Sequence, residues 1–242
     1  FADEYYMRPF VKLADGSYVY GDLMEFSVQM YCEAIINKTT SAATMKNACI
    51  AMLHYGAAAQ DKFNYNVNDK ANANIPEATD EFKYNADYID EIVAATTNIA
   101  SSDLVARHGN TVSFEGAPFI NYYYYFKGDN VSKMEIIFWY DVTGELTLDN
   151  ASEVIDMTEA GNYQGYPRYH AASKGIAPAN YGNTIHACIK ATDASGNVYY
   201  SAIRSFHCES YAETLINKSP DDSALYQAFV VYGEYARQHF KK

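Results

Sequence analysis

Residues 25–38 read EFSVQMYCEAIINK and residues 205–218 read SFHCESYAETLINK, so one stretch of the chain occurs twice. Phe, Tyr, Glu, Ile, Asn and Lys recur at the same positions of the two strings. Further matches flank this stretch: Val11, Lys12, Asp15 and residues 51–63, opposite Ile189, Lys190, Asp193 and residues 228–240. A series of matches over about fifty residues indicates a duplicated supersecondary unit.

Each copy is predicted to contain a hairpin and two helices. Asp15-Gly16 lies between apolar and polar residues that alternate, and Gly supplies the positive φ angle that a hairpin turn needs. Two segments with helical spacing follow and end near Asn37 and Phe63. Tyr55 and its counterpart Tyr232 are expected beside the helix crossing. The pattern therefore predicts a hairpin followed by an αα-hairpin.

The segment between the two copies is typical of β structure. Residues 119–126 and 134–142 flank a turn, which predicts an aromatic hairpin. Several other short strands predict an antiparallel sandwich, and residues 161–174 are predicted to form a Tyr-rich loop. The predicted fold class is α+β: an antiparallel β-sandwich with αα-hairpin helix clusters and an internally repeated hairpin-plus-helix-pair unit.

The same patterns divide the chain into four segments. Residues 1–66 form a first, incomplete hairpin plus helix-pair unit, and residues 67–102 form an Asn-rich connector with weak helical spacing near its end. Residues 103–204 form the β-sandwich, and residues 205–242 form a second helix pair that packs on it. Since a two-stranded ribbon alone is marginally stable, the first hairpin is expected to pair with other strands. The chain begins at Phe1, which indicates an excised or matured piece of a longer protein.

Composition limits the possible partners. The formal net charge of −12 disfavours nucleic acids and anionic membranes, and no apolar run approaches the roughly 18 residues of a transmembrane helix. The 24 Tyr residues place many rings between core and water, which suits uncharged polyhydroxylated ligands or protein partners. Apolar residues match the four cysteines in the opposite copy, which favours buried thiols over the alternative of disulfides. The cysteines are Cys32, Cys49, Cys188 and Cys208.

Two stretches are candidates for a binding site. On the predicted aromatic hairpin, strand alternation places Trp139 between Glu135 and Asp141, and two carboxylates without partners cannot be buried. The alternative is a sandwich edge covered by a loop. The Tyr-rich loop is the second candidate, because binding residues concentrate on such loops, although its rings alternatively fold onto the sandwich. The predicted carbohydrate-binding residues are Trp139, Tyr122, Tyr124, Glu135, Asp141, Tyr163, Gln164, Tyr166, Arg168 and Tyr169.

Sequence signals for catalysis are weak. The six histidines show no metal-ligand spacing, the cysteines form no C-x-x-C, and no nucleotide-binding or serine-hydrolase motif occurs. Glu33 and Glu213 are paired only by duplication, so they do not indicate a glycosidase pair. We expect no catalytic activity, no cofactor and no metal site, with a glycoside hydrolase as the third alternative.

Three stretches carry a resemblance to a known module. They read YYMRPFVK at residues 5–12, MLHYGAAAQDKFNYN at residues 52–66 and PANYGNT at residues 178–184. They resemble a module of secreted, often dockerin-bearing proteins of gut Firmicutes, and the chain is most similar to the starch-adherence-system proteins of ruminococcal amylosomes. The resemblance implies an extracellular or cell-surface, starch-binding β-sandwich followed by helices, with starch or maltooligosaccharides as ligand. The alternative is a structural or adhesive spacer that contacts other proteins of a cell-surface complex.

Overall fold

A computed structural model describes residues 4–75, 79–114 and 116–241. Within these residues the chain is an α+β protein with antiparallel sheets and four α-helices. The strands are β1 (Tyr5–Met7), β2 (Phe10–Lys12), β3 (Tyr18–Tyr20), β4 (Met24–Phe26), β5 (Thr96–Thr97), β6 (Val105–Ser113), β7 (Phe119–Phe126), β8 (Val131–Tyr140), β9 (Glu145–Leu146), β10 (Glu153–Asp156), β11 (Thr158–Tyr163), β12 (Tyr166–Ala172), β13 (Ile185–Asp193), β14 (Val198–Tyr200) and β15 (Arg204–Phe206). The helices are α1 (Val28–Asn37), α2 (Ala43–Phe63), α3 (Cys208–Lys218) and α4 (Ala224–Phe240).

The chain divides into two compact units. The first contains Phe1–Tyr88 and Ser219–Lys242, and the second contains Ile89–Lys218. Helix α4 therefore belongs with α1 and α2, whereas the sequence groups it with α3. The predicted connector crosses the division at residue 88, and its residues 76–78 lie outside the described part of the chain.

In the first unit, two short ribbons precede the helices. Strands β1 and β4 pair antiparallel, as do β2 and β3, and Gly16 has the positive φ angle that the Asp-Gly turn predicts. The Ser27 hydroxyl caps α1 by accepting a hydrogen bond from the Met30 N–H. Helix α2 packs on both α1 and α4, and the rings of Tyr55 and Tyr232 stack with centroids 5.8 Å apart. The two tyrosines thus lie at a helix crossing, as predicted, but the crossing is between α2 and α4.

The second unit contains two larger sheets. One has the order β10–β8–β13–β14, with β15 also pairing with β13, and the other has the order β11–β12–β7–β6. All pairs within them are antiparallel, while the short β5–β9 pair is parallel. Because β7 and β8 lie in different sheets, the predicted aromatic hairpin is wrong. Side chains of the two sheets contact each other, since the ring centroids of Tyr122 and Phe138 lie 5.4 Å apart.

The predicted Tyr-rich loop is mostly the hairpin β11–β12. Gln164 and Gly165 connect the strands and both have positive φ angles, as in the two-residue turns that match strand twist. The sequence lacks the Asn-Gly or Asp-Gly pair that usually marks such a turn, so it predicted a loop here and not a hairpin.

The four cysteines are buried free thiols, in agreement with the prediction. No helix in the described part of the chain combines the length and apolar character that a membrane span requires.

Candidate functional site

Trp139, which the sequence places in the first candidate stretch, is a core residue. Its side chain is fully buried in a cluster with Leu146 and Cys188. The indole Nε1 donates hydrogen bonds of 2.9 Å to the Thr147 carbonyl oxygen and to Asn150 Oδ1. Both the ring and its polar atom are therefore satisfied inside the protein.

Part of the cover of Trp139 comes from the predicted connector. Ala95 and Ile99 pack against the Trp139 cluster, and the chain between them forms β5, where the sequence indicates weak helix. Both faces of β8 are consequently buried at this point. Tyr122 and Tyr124 on β7 are also buried, with 0% and 1% exposure. These three rings have no face open to a ligand, which corrects their assignment as binding residues.

The two carboxylates predicted beside Trp139 have separate surroundings. Glu135 binds Lys133 at 2.8 Å and Lys190 at 2.9 Å, and these ammonium groups hold the pKa of its carboxyl below the ordinary value. Asp141 follows β8 with a φ angle of +56° and accepts a hydrogen bond from Asn183 Nδ2. Asp141 lines a cleft of about 390 Å³. Neither carboxylate lies among exposed aromatic rings.

A group of aromatic and polar side chains covers the outer face of the four-stranded sheet. We call this surface the tyrosine face and define it by Tyr123, Tyr125, Tyr163, Tyr166, His108, His170, Arg168 and Gln164. Arg168 on β12 lies directly opposite Tyr125 on β7, and Tyr163 lies opposite Tyr166 across the β11–β12 turn. Opposed residues of antiparallel strands point to the same side. Alternation along β7 places this side away from the buried Tyr122 and Tyr124.

The rings of the tyrosine face form a continuous surface. Tyr163 is central, with its ring centroid 4.1 Å from that of His108 and 5.3 Å from that of Tyr125. Tyr125 stacks on Tyr166 at 5.9 Å, and His108 lies 6.3 Å from Tyr123. Interplanar angles along this path range from 22° to 79°. The surface is therefore aromatic but uneven.

Polar groups are held between these rings. The Arg168 guanidinium carbon lies 5.2 Å from the Tyr123 ring centroid, and Nε and Nη2 donate to the Ala160 carbonyl oxygen at 2.9 and 2.6 Å. His170 Nε2 lies 2.8 Å from Asn121 Oδ1. Burial, and to a smaller extent the Arg168 charge, lowers the pKa of the His170 imidazole. The imidazole is consequently neutral at pH 7.

The hairpin tip supplies further hydrogen-bonding groups. The Tyr125 hydroxyl donates to Gln164 Oε1 at 3.4 Å, and Gln164 Nε2 donates to the Tyr163 hydroxyl at 3.5 Å. These bonds are long, so the same groups are available to a ligand at little cost.

Tyr169, the remaining predicted residue of this segment, does not belong to the tyrosine face, because it lies opposite Tyr124 and thus points to the other face of the sheet. Burial raises the pKa of its hydroxyl.

The sequence matches no protein-family model and no curated protein.

Four of the ten predicted residues come together on the tyrosine face: Tyr163, Gln164, Tyr166 and Arg168. The amino-acid sequence contains a signal for two other residues of the tyrosine face, because Tyr123 and Tyr125 share one side of a predicted strand. His108 has no such signal, since it lies at a register shift in β6. Among the described residues, no group of three or more His, Cys, Asp or Glu side chains suits a metal ion.

Proposed function

We propose that this protein is an extracellular, non-catalytic carbohydrate-binding module that binds starch and related α-1,4-glucans on the tyrosine face. The observation that carries this function is a continuous surface of five partly exposed rings, packed around the buried ring of Tyr125, with polar groups fixed between them. We include two finer features of the fold: the two sheets act as layers of a β-sandwich, and the hairpin-plus-helix-pair unit is internally repeated. Residues 5–12, 52–66 and 178–184 resemble a module of secreted proteins of gut Firmicutes, and the similarity to the starch-adherence-system proteins among them supports the ligand class.

The chemistry of the tyrosine face suits a neutral polyol. The C–H groups on one side of a glucose ring pack on an aromatic face, while its hydroxyls need donors and acceptors at the rim. Gln164 and Arg168 supply such groups beside Tyr163 and Tyr166. The rings are held by neighbouring strands, so binding orders few side chains and the entropic cost is small.

The tilt of the rings supports a curved glucan chain over a flat crystalline surface. Neighbouring planes on the tyrosine face differ by up to 79°. A flat polysaccharide surface contacts only rings that lie in one plane. An α-1,4-linked chain curves, so successive glucose units present their faces in different directions and meet tilted rings in turn.

Isothermal titration with maltooligosaccharides and affinity gels with amylopectin test this function. We expect a dissociation constant on the order of 0.1 mM for the oligosaccharide, as a few stacked rings provide. Tyr163→Ala removes the central ring and weakens binding by about five- to tenfold. Tyr163→Phe keeps the ring and most of the affinity.

Tyr18→Ala is the matched control, because Tyr18 is an exposed tyrosine on β3 and not on the tyrosine face. Its affinity for glucan is expected to equal that of the wild type. The proposed function fails if no glucan gives heat or gel retardation at millimolar ligand, or if Tyr18→Ala and Tyr163→Ala lose affinity equally.

A further inference from the structure

The two ribbons of the first unit expose an apolar surface. Opposed residues share a side, and sides alternate along each ribbon. The pairs Tyr5–Phe26, Met7–Met24 and Val11–Val19 are apolar, whereas the pairs between them include Glu25 and Lys12. We call this surface the apolar face and define it by Tyr5, Met7, Val11, Val19, Met24 and Phe26. These side chains are between 37% and 63% exposed. Contiguous apolar surface of this kind marks an interaction site.

Strand pairing in the ribbons recurs in the second unit at a constant offset of 180 residues, since Tyr5 corresponds to Ile185. The matching pairs are Tyr5–Phe26 with Ile185–Phe206, Met7–Met24 with Ala187–Arg204, and Phe10–Tyr20 with Lys190–Tyr200. Strands β1 and β2 thus correspond to the two ends of β13, β3 to β14 and β4 to β15. In this correspondence Lys12 matches Thr192, whereas the sequence comparison placed Lys12 opposite Lys190, two positions earlier.

In the second unit, the equivalent edge and face are covered. The far edge of β13 pairs with β8 over nine residue pairs, and Ala187 lies opposite Phe138. Phe138 contacts Tyr122 of the four-stranded sheet, so this side of β13 faces that sheet. Among the described residues, β1 and β2 have only β4 and β3 as strand neighbours. The ribbons therefore present the surfaces that β8 and the four-stranded sheet cover elsewhere.

We propose that the free edge of β1 and β2, together with the apolar face, docks an antiparallel β-sheet of a protein partner. Its nearest strand pairs with β1 and β2 as β8 pairs with β13, and its apolar side chains cover the apolar face. This surface is separate from the tyrosine face and does not depend on glycan binding.

Pro9 is compatible with this docking edge. It corresponds to Ile189, whose N–H points away from β8 and donates to Ser201 Oγ at 2.9 Å. The Pro9 carbonyl likewise accepts from the Gly21 N–H on the β3 side. The N–H that proline lacks would point away from the free edge, so Pro9 removes no donor from that edge. Strands tolerate proline at such positions.

Charges on the ribbon define the partner strand further. Arg8 and Lys12 lie two residues on either side of Phe10, over the rings of Tyr20 and Tyr18. Phe10 corresponds to Lys190, which lies opposite Glu135 of β8. A carboxylate opposite Phe10 is therefore diagonal to both cations. The partner strand combines alternating apolar residues with an acidic residue at this position.

A synthetic peptide with the β8 sequence, VSKMEIIFWY, is the probe. Titrated into isotopically labelled protein, it is expected to shift amide resonances of β1–β4 saturably, whereas a scrambled peptide does not. Val19→Glu places a charge in the apolar face and weakens binding at least about tenfold. Glu25→Lys, a charge change on the opposite face of β4, is the matched control and changes it less than about twofold.

The pairing edge is tested by N-methylation of the peptide, which leaves the protein unchanged. In β8, the carbonyl oxygens of the even-numbered residues Met134 and Phe138 accept hydrogen bonds on the β10 side. The N–H groups of the odd-numbered residues therefore point toward β13. Methylation at the position of Ile137 is expected to weaken binding about three- to tenfold, and methylation at Ile136 leaves the pairing edge intact.

Three outcomes overturn the docking surface. The first is no saturable shift at about 1 mM peptide, or equal shifts with the scrambled peptide. The second is equal weakening by the two N-methylated peptides. The third is a dimer in sedimentation velocity that Val19→Glu dissociates, because a second copy of the chain then covers the face. Circular dichroism confirms that each variant is folded before it is titrated.

Discussion

Replacing Trp139 by Phe separates a core residue from a binding residue. The indole is fully buried and donates two hydrogen bonds, to the Thr147 carbonyl and to Asn150 Oδ1. The missing donor costs about 1 kcal/mol, and a ring smaller by roughly 40 Å³ adds about 1 kcal/mol for the cavity. We expect Trp139→Phe to lower the free energy of unfolding by about 2–3 kcal/mol and to leave glucan affinity within about twofold.

Urea denaturation followed by circular dichroism measures this loss, since Trp139 is the single Trp and its fluorescence disappears with it. Tyr163→Ala is the complementary variant, because it removes a partly exposed ring of the tyrosine face. It is expected to weaken glucan binding and to change stability by less than about 1 kcal/mol. The reasoning is refuted if Trp139→Phe keeps the stability of the wild type and loses glucan binding.

Three further predictions concern stability. Gly182→Ala brings a Cβ atom to 2.6 Å from Glu209 Oε2 and is expected to cost about 1–3 kcal/mol in urea denaturation, whereas Gly109→Ala, with no atom within 4 Å, costs less than about 0.5 kcal/mol. Burial lowers the pKa of His186 below 6.5, so the unfolded chain binds the proton better than the folded chain does. The contribution of His186 to stability is therefore full above about pH 6.5 and falls below it. Urea denaturation at a series of pH values is expected to show a smaller dependence of the free energy of unfolding on pH for His186→Asn. Burial raises the pKa of the Cys188 thiol from 9.0 to about 11, so its contribution to stability is full below about pH 9 and falls by up to about 2 kcal/mol as the pH rises toward 11. Because burial also raises the pKa of Cys208, Cys188→Ala is expected to reduce the alkaline loss in thermal unfolding without abolishing it.

Local elements of the fold were readable from sequence because their signals are local. The predicted ends of the first two helices, near Asn37 and Phe63, agree with α1 and α2. The Asp15-Gly16 turn and the bounds of β7 were also correct. Strand partners were not readable in this way. Strands β7 and β8 follow each other and look like a hairpin, yet each pairs with strands from other parts of the chain, and only tertiary packing decides that choice.

The candidate site was only half predictable for the same reason. Tyr163 and Tyr166 flank a turn, so their place on one hairpin face depends on nearby residues alone. Trp139 was misassigned because its cover includes Ala95 and Ile99, about forty residues upstream, and no pattern near Trp139 in the sequence indicates these two contacts. The acidic neighbour Glu135 suggested exposure, but Lys133 and Lys190 neutralise it.

The two exposed surfaces of the chain differ in chemistry, and this difference predicts that they act independently. Every ring of the tyrosine face carries a polar atom or lies beside one, so the surface is stable in water and suits reversible binding of a hydroxylated ligand. The apolar face instead contains Val and Met side chains, which gain free energy only when they leave water, as in a lasting contact with another sheet. The surfaces also lie in different compact units. We therefore expect Tyr163→Ala to leave the affinity for the β8 peptide unchanged and Val19→Glu to leave the affinity for glucan unchanged, each within about twofold. Titrating both variants with both ligands measures this, and a variant that loses both affinities shows that one surface serves both ligands.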